Sequence, residues 1–339
     1  MSGVTRQGVQ GVRPGREAVS GVQMGAKKRP ERRAVRRDGE QPVVGEATFQ
    51  SYYGKPIINK PVWESPDIPG YLFLGGTAGA SSVVAALAQV TGRPSLGRAA
   101  KVTSTVTAAL SGFALVHDLG RPGRFLNMLR AFKPTSPMSM GSWLLGAYAP
   151  LSAAASFSAL TGRLPRVGSA ATAGAAALGP GVATYTAALI SNTAVPAWHE
   201  GYRYMPFVFA ASACSSAAGM GLVAARPAET GPVRVLGIGA AALEGLLMRR
   251  MRRSMGVAGE AFQESHEAHR FEIGAAALSV AGIALAALGR RSRVASAAGG
   301  ASMVAGSALE RFAIFEAGMA SAENPRYTVV PQRTRLEQR

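Results

Sequence analysis

The sequence predicts an all-α, polytopic membrane protein: a bundle of eight transmembrane helices preceded by a disordered basic tail. Three observations carry this. Of 339 residues, 47% are hydrophobic and only 17% charged. The charges are segregated, so that long windows contain almost none and the basic residues lie between them. The uncharged windows are close to the roughly 20 residues that a helix needs to cross a hydrocarbon core. The expected organisation is a tail over 1–60, a transmembrane domain over 61–320 and a polar C-terminal tail over 321–339.

The tail is Gly-, Arg- and Val-rich with no helical period, and Lys27, Lys28, Arg29, Arg32, Arg33, Arg36 and Arg37 form a basic block. Such a segment is expected to stay disordered near anionic lipid headgroups, with a docking arm for a partner subunit as the alternative. No apolar stretch follows the charges, so neither a signal peptide nor a twin-arginine export signal is expected. The apolar spans then run over Ile68–Val90, Ala99–Val116, Met140–Leu160, Ser169–Ser191, Pro206–Ala225, Val233–Met248, Ile273–Leu288 and Ala295–Phe315, the sixth and seventh being short. They are built from Ala, Gly and Ser. Gly75 and Gly79 stand four apart, as do Gly237, Ala241 and Gly245, and Ser302 and Gly306; small residues at this spacing let helix backbones approach. Gly179-Pro180-Gly181 in the fourth span is expected to be a kink absorbed by neighbouring helices, the alternative being a discontinuous helix at a substrate site.

Eight spans place both termini on one side. The loop arginines and lysines are balanced between the two sides, and only the basic tails tilt the count towards cytoplasmic termini in a multi-pass plasma-membrane protein.

Composition removes several function classes. The net charge of +18 flanks apolar spans instead of gathering on one soluble face, so nucleic acid is not an expected partner. Cys214 is the single cysteine, which precludes an internal disulfide and a resident iron–sulfur cluster, for which about four thiolates are needed. Haem would ask for two histidines facing each other within the bundle; His117, His199, His266 and His269 all lie at span ends or in loops. His266 and His269, three apart among Glu260, Glu264 and Glu267, read as a solvated loop in preference to a metal site, and no metal is expected.

The polar residues gather on the side of the termini. Trp63, Glu64, Asp67 and Tyr71 lead into the first span; His117, Asp118, Arg121 and Arg124 leave the second; Lys133, Thr135 and Ser136 precede the third. Asn192, Trp198, His199, Glu200, Tyr202 and Arg203 follow the fourth. Charge at a bilayer edge is costly and usually has a task. A quinol, an apolar ring with two hydroxyls and an isoprenoid tail, releases two electrons and two protons on oxidation. Its site needs an apolar slot, hydrogen-bond partners and a proton acceptor. His117 or Asp118 supplies the acceptor, Tyr71 or Asn192 orients a carbonyl, and a neighbouring arginine keeps the aspartate ionised. On composition alone, interfacial salt bridges that only fix topology are the more economical reading.

The segments WESPDIPGYLFLGGTAG (Trp63 to Gly79), HDLGRPGRFLNMLRAFKPTSPMSMGSW (His117 to Trp143) and RFAIFEAGMASAENPRYTVVPQR (Arg311 to Arg333) resemble the NrfD/PsrC family of polysulfide-reductase and nitrite-reductase-associated membrane subunits, in its actinobacterial branch. The resemblance runs from about Ser51 to the C-terminus and leaves out residues 1–45. It implies two four-helix halves and a menaquinone or ubiquinone site near one membrane face, with no redox cofactor of the subunit's own. It also implies electron exchange with a ferredoxin-like 4Fe-4S subunit, itself connected to a molybdopterin oxidoreductase of the formate dehydrogenase or polysulfide reductase type. By motif, the implied quinone residues are Tyr71, His117, Asp118 and Arg121, with Glu64 beside them; His117 and Asp118 handle protons. Glu64 and Asp67 depart from the varied His, Asn or Glu residues of the family. Arg124, Lys133 and Arg203 are the expected docking contacts, and Glu244, an acid inside the sixth span, is the expected proton path. The competing readings are a secondary transporter with a broken fourth helix, for which Glu244, Glu310 and Arg311 are the intramembrane candidates, and a passive anchor without quinone chemistry.

Overall fold

The computed structural model describes residues 57–118, 122–290 and 292–337, together with four strands of two or three residues between 4 and 49. Among the described residues, eight helices are 20 residues or longer: α1 (Asp67–Val90), α2 (Pro94–Asp118), α3 (Pro137–Thr161), α4 (Pro165–Ser191), α5 (Met205–Ala224), α6 (Gly231–Ser254), α7 (His266–Leu288) and α8 (Arg293–Glu323). Seven of these are long and apolar enough to cross a membrane. The exception is α8, which has the length, but whose Gly and Ser content, Glu310 and Arg311 lower its hydropathy.

The chain divides into two compact units. Trp63–Ser321 holds the bundle. The other comprises Met1–Val62 and Ala322–Arg339; in it Lys60 pairs with Glu323, Val4–Thr5 pairs antiparallel with Gly8–Val9, and Ala18–Ser20 with Ala47–Phe49. The rest of the N-terminal tail, including the basic block and its expected disorder, lies outside the described residues.

Local chemistry sets the helix ends. Pro94, Pro137 and Pro165 open their helices, where a missing N–H costs nothing and the fixed φ suits the first turn. The Ser136 hydroxyl accepts the Ser139 N–H at 3.4 Å and the Ser265 hydroxyl that of Ala268 at 3.3 Å, satisfying donors with no partner inside the helix. α3 stops at Gly162, whose φ of 71° suits a residue without a Cβ. The sixth and seventh helices are longer than their apolar windows. Arg249–Arg253 extend α6, and His266–Glu272 open α7, because straight-chain residues carry a helix past the hydrocarbon edge.

α1 packs against α2, α4 and α5; α3 packs against α2 and α4, and α6 against α5 and α7. Between α1 and α4 the contact is backbone on backbone. A Cβ on Gly79 would lie 2.9 Å from the Ala183 nitrogen and 3.2 Å from the Val182 Cβ. Hydroxyls fasten these contacts: Ser82 Oγ donates to the Ala175 carbonyl at 3.1 Å, Thr77 and Ser216 meet at 2.8 Å, and Tyr148 donates to the Ala78 carbonyl at 2.5 Å. The Gly179-Pro180-Gly181 segment lies within α4, which is one continuous helix. The discontinuous alternative is thereby corrected: α4 accommodates Pro180 internally, while Gly179 gives α1 its close approach. The transporter reading thereby loses its broken fourth helix.

Candidate functional site

The polar residues at the start of α1 and the end of α2 form one cluster. α1 begins at Asp67 and its first turn lies beside the last turn of α2. His117 Nδ1 is 2.6 Å from Asp67 Oδ2, and the Glu64 N–H donates to Asp118 Oδ1 at 3.1 Å. Glu64, His117 and Asp118, expected together, are thus brought together. Asp67 is the direct partner of His117. The Phe113 ring stacks on the imidazole at 5.9 Å.

The apolar stretch of α2 ends at Val116, so His117 and Asp118 stand outside the membrane-spanning segment, in the polar last turn of the helix. There the Asp67 carboxylate, through its hydrogen bond and its charge, raises the pKa of His117; Glu64 and Asp118 add to the effect. Partial burial pushes the Asp118 carboxyl up, with the charges of Asp67 and Glu64 acting the same way and the Glu64 N–H and His117 acting against it. An acid moved up from its ordinary range is a better proton acceptor at neutral pH. For His117 the sign is that of a raised base: its contribution to the fold is complete below the unfolded value near 6.5 and is lost as pH rises through the folded value. We expect His117, followed by NMR, to titrate above an ordinary histidine, and Asp67→Asn to bring it down. An unchanged His117 titration in that variant would contradict the pairing.

Tyr71 lies four residues into α1 from Asp67, about 6 Å deeper. It is 3% exposed, and its hydroxyl bonds to that of Tyr185 on α4, the rings meeting edge to face at 6.5 Å. Gly141 of α3 leaves the space the Tyr185 ring fills. Tyr71 therefore does not join the His117–Asp118 cluster directly; it makes a hydroxyl pair on the layer beneath.

The loop after α4 contributes a fastening. Trp198, in the single turn Pro196–Glu200, is 1% exposed, stacks on Trp63 at 5.5 Å and donates its Nε1–H to the Ile314 carbonyl at 2.8 Å. It ties the segment before α1, which includes Glu64, to α8. His199 bonds through Nδ1 to the Ser191 carbonyl at 3.2 Å, turned to α4. Among the expected docking residues, Lys133 and Arg203 are exposed, Arg203 Nε donating to the Tyr202 hydroxyl at 2.9 Å. Arg124 sits in the turn Pro122–Leu129, with its side chain outside the described residues, as is Arg121 altogether. Glu244 is elsewhere, buried in the middle of α6. His266 and His269 occupy the first turn of α7; among the described residues no group of three or more His, Cys, Asp or Glu side chains is arranged to hold a metal ion.

The assembled groups can do proton chemistry at a membrane edge: an acid–base pair at His117 and Asp67, a second carboxyl at Asp118, and a tyrosine pair one turn below. A family model described as polysulphide reductase, NrfD, matches residues 57–322. No curated protein matches the chain.

Proposed function

Since the chain belongs to the polysulphide reductase NrfD family, we propose that it is the quinone-reactive membrane subunit of a redox complex, passing electrons between menaquinone or ubiquinone and a docked 4Fe-4S ferredoxin-like subunit. That subunit would in turn serve a molybdopterin oxidoreductase of the formate dehydrogenase or polysulfide reductase type. The family match and the seven apolar helices make it a multi-pass membrane protein. All eight long helices cross the bilayer in this reading, in two groups of four with cytoplasmic termini. α8 is included because Glu310 and Arg311, 6% and 1% exposed, face protein and not lipid.

The observation that carries the reading is the cluster of Glu64, Asp67, His117 and Asp118 at one end of α1 and α2. Quinol oxidation releases two electrons and two protons. Asp118 accepts one proton and the His117–Asp67 pair the other, each at the aqueous edge where it can be passed to water. The Tyr71–Tyr185 pair offers a hydroxyl to a quinone oxygen, while Arg121 favours the ionised Asp118. Arg124, Lys133 and Arg203 hold the acidic edge of the partner, and Glu244 belongs to a proton path through the bundle.

A quinol titration of the purified complex tests the reading, with reduction of the docked iron–sulfur subunit as the signal. Saturable, quinol-dependent reduction is expected. A complex that assembles but shows no quinol-dependent reduction is a passive anchor.

A further inference from the structure

Three carboxylates and two guanidinium groups meet between α6, α7 and α8. Glu244 of α6 is 2% exposed, Glu310 of α8 6% and Arg311 1%. Four of the five groups are matched. Arg252 of α6 pairs with Glu272 of α7. Arg311 Nη1 is 3.4 Å from Glu310 Oε1, its Nη2 donates to the Phe209 carbonyl at 3.0 Å, and its carbon lies 3.6 Å from the centre of the Phe209 ring. Glu244 is left over: neither carboxylate oxygen meets a donor. The Glu310 carboxyl lines the same cavity as Glu244 and has no proton to give when both are ionised.

A cavity of about 830 Å³ reaches both carboxyl groups and continues past Arg249 and Arg253 to Gln263, beyond the end of α6. The other charges facing it are Arg252, Glu260 and Glu272. Arg249 and Arg253 are exposed at its mouth. With the half-buried Arg252–Glu272 pair neutral, the buried groups are Glu244 and Glu310 against Arg311, which leaves one negative charge uncompensated. A carboxylate in that position takes up a proton in preference to remaining charged, and one proton both closes the count and supplies the missing donor.

We propose that Glu244 and Glu310 hold one proton between them, and that the cavity connects this proton to water at the C-terminal end of α6. Glu244 stands five residues before Arg249, where α6 passes the hydrocarbon edge, and is therefore about 7.5 Å inside the hydrocarbon. The pair is thus a proton-loading position within the membrane, reached from one face. Because α2, α4 and α6 run in the same direction, that face is also the one that carries His117 and Asp118. The inference rests on this cluster alone and stands or falls independently of the quinone reading.

Infrared spectroscopy of the full chain in lipid nanodiscs, in H2O and in D2O, tests it. At a pH where surface carboxylates are ionised, the wild-type protein should show one protonated-carboxyl C=O band that shifts in D2O. Either Glu244→Gln or Glu310→Gln should remove it, since each leaves two acids for two arginines. A wild-type spectrum without the band overturns the proposal, and this needs no variant to fold. A band that survives in one of the two variants also overturns it, by assigning the proton to a single residue.

Discussion

Asp118→Asn is expected to lower quinol-linked turnover by about 100-fold or more, the loss typical of removing a positioned proton acceptor, while the complex still assembles. The Asp118 Oδ1 accepts the Glu64 N–H, and an asparagine oxygen at that position accepts it equally well. The start of α1 should therefore stay in place. What disappears is the negative charge and the capacity to take a proton. Assembly is read by co-purification of the partner subunits, and turnover by quinol-dependent reduction. Unchanged turnover in an assembled variant would remove Asp118 from the proposed mechanism and leave the His117–Asp67 pair as the acceptor.

Gly79→Val should have the largest effect on the fold, a loss of about 3 kcal/mol or more. Its side chain would enter the space occupied by the Ala183 nitrogen, 2.9 Å from a Cβ at that position. Backbone cannot swing aside as a flexible side chain can, so α1 and α4 would have to separate. That separation would also break the Ser82–Ala175 hydrogen bond and the Tyr71–Tyr185 pair. Gly112→Ala is the control: nothing lies within 4 Å of a Cβ there, and an alanine in a helix interior gains about 0.5–1 kcal/mol over glycine. Thermal unfolding in detergent should show a large loss for the first and none for the second. Equal behaviour of the two variants would mean that the α1–α4 contact is not as close as described.

Much of the fold was legible because lipid imposes a simple rule. A chain that must satisfy its own backbone across a hydrocarbon core does so in helices, and apolar windows of matching length mark them. The starts of α1 and α5 fall within one residue of the spans read from the sequence. The rule fails where a helix outruns the membrane, as in α6 and α7, because hydropathy ends at Arg249 or begins at Ile273 while helical hydrogen bonding continues. α8, read from the sequence as the span Ala295–Phe315, is the least apolar of the eight, because Glu310 and Arg311 depress its hydropathy although both are buried against protein.

The candidate site was legible as a set of residues but not as a set of pairs. One-sided placement puts Glu64, His117 and Asp118 together, and the structure does the same. That Asp67 would reach His117 while Asp118 turned to a backbone N–H depends on the angle at which α1 meets α2, which no spacing encodes. Tyr71 belonged to the right helix face but is committed to Tyr185, which stands between Thr184 and Thr186 near the end of α4 and on a different helix from the polar cluster. Glu244 was conspicuous as an acid within an apolar span. Its excess charge emerges only when the pairing of Arg252 with Glu272 and of Arg311 with Glu310 is known.

The proposal that quinone reacts at the α1–α2 edge is tested most directly by photolabelling the purified protein with a photoreactive quinone and mapping the modified peptides. The expected label lies on the segments containing Glu64–Tyr71 and His117–Asp118, and is competed away by unlabelled quinone. Competable label confined to the cavity between α6, α7 and α8, or no competable label at all, would contradict it.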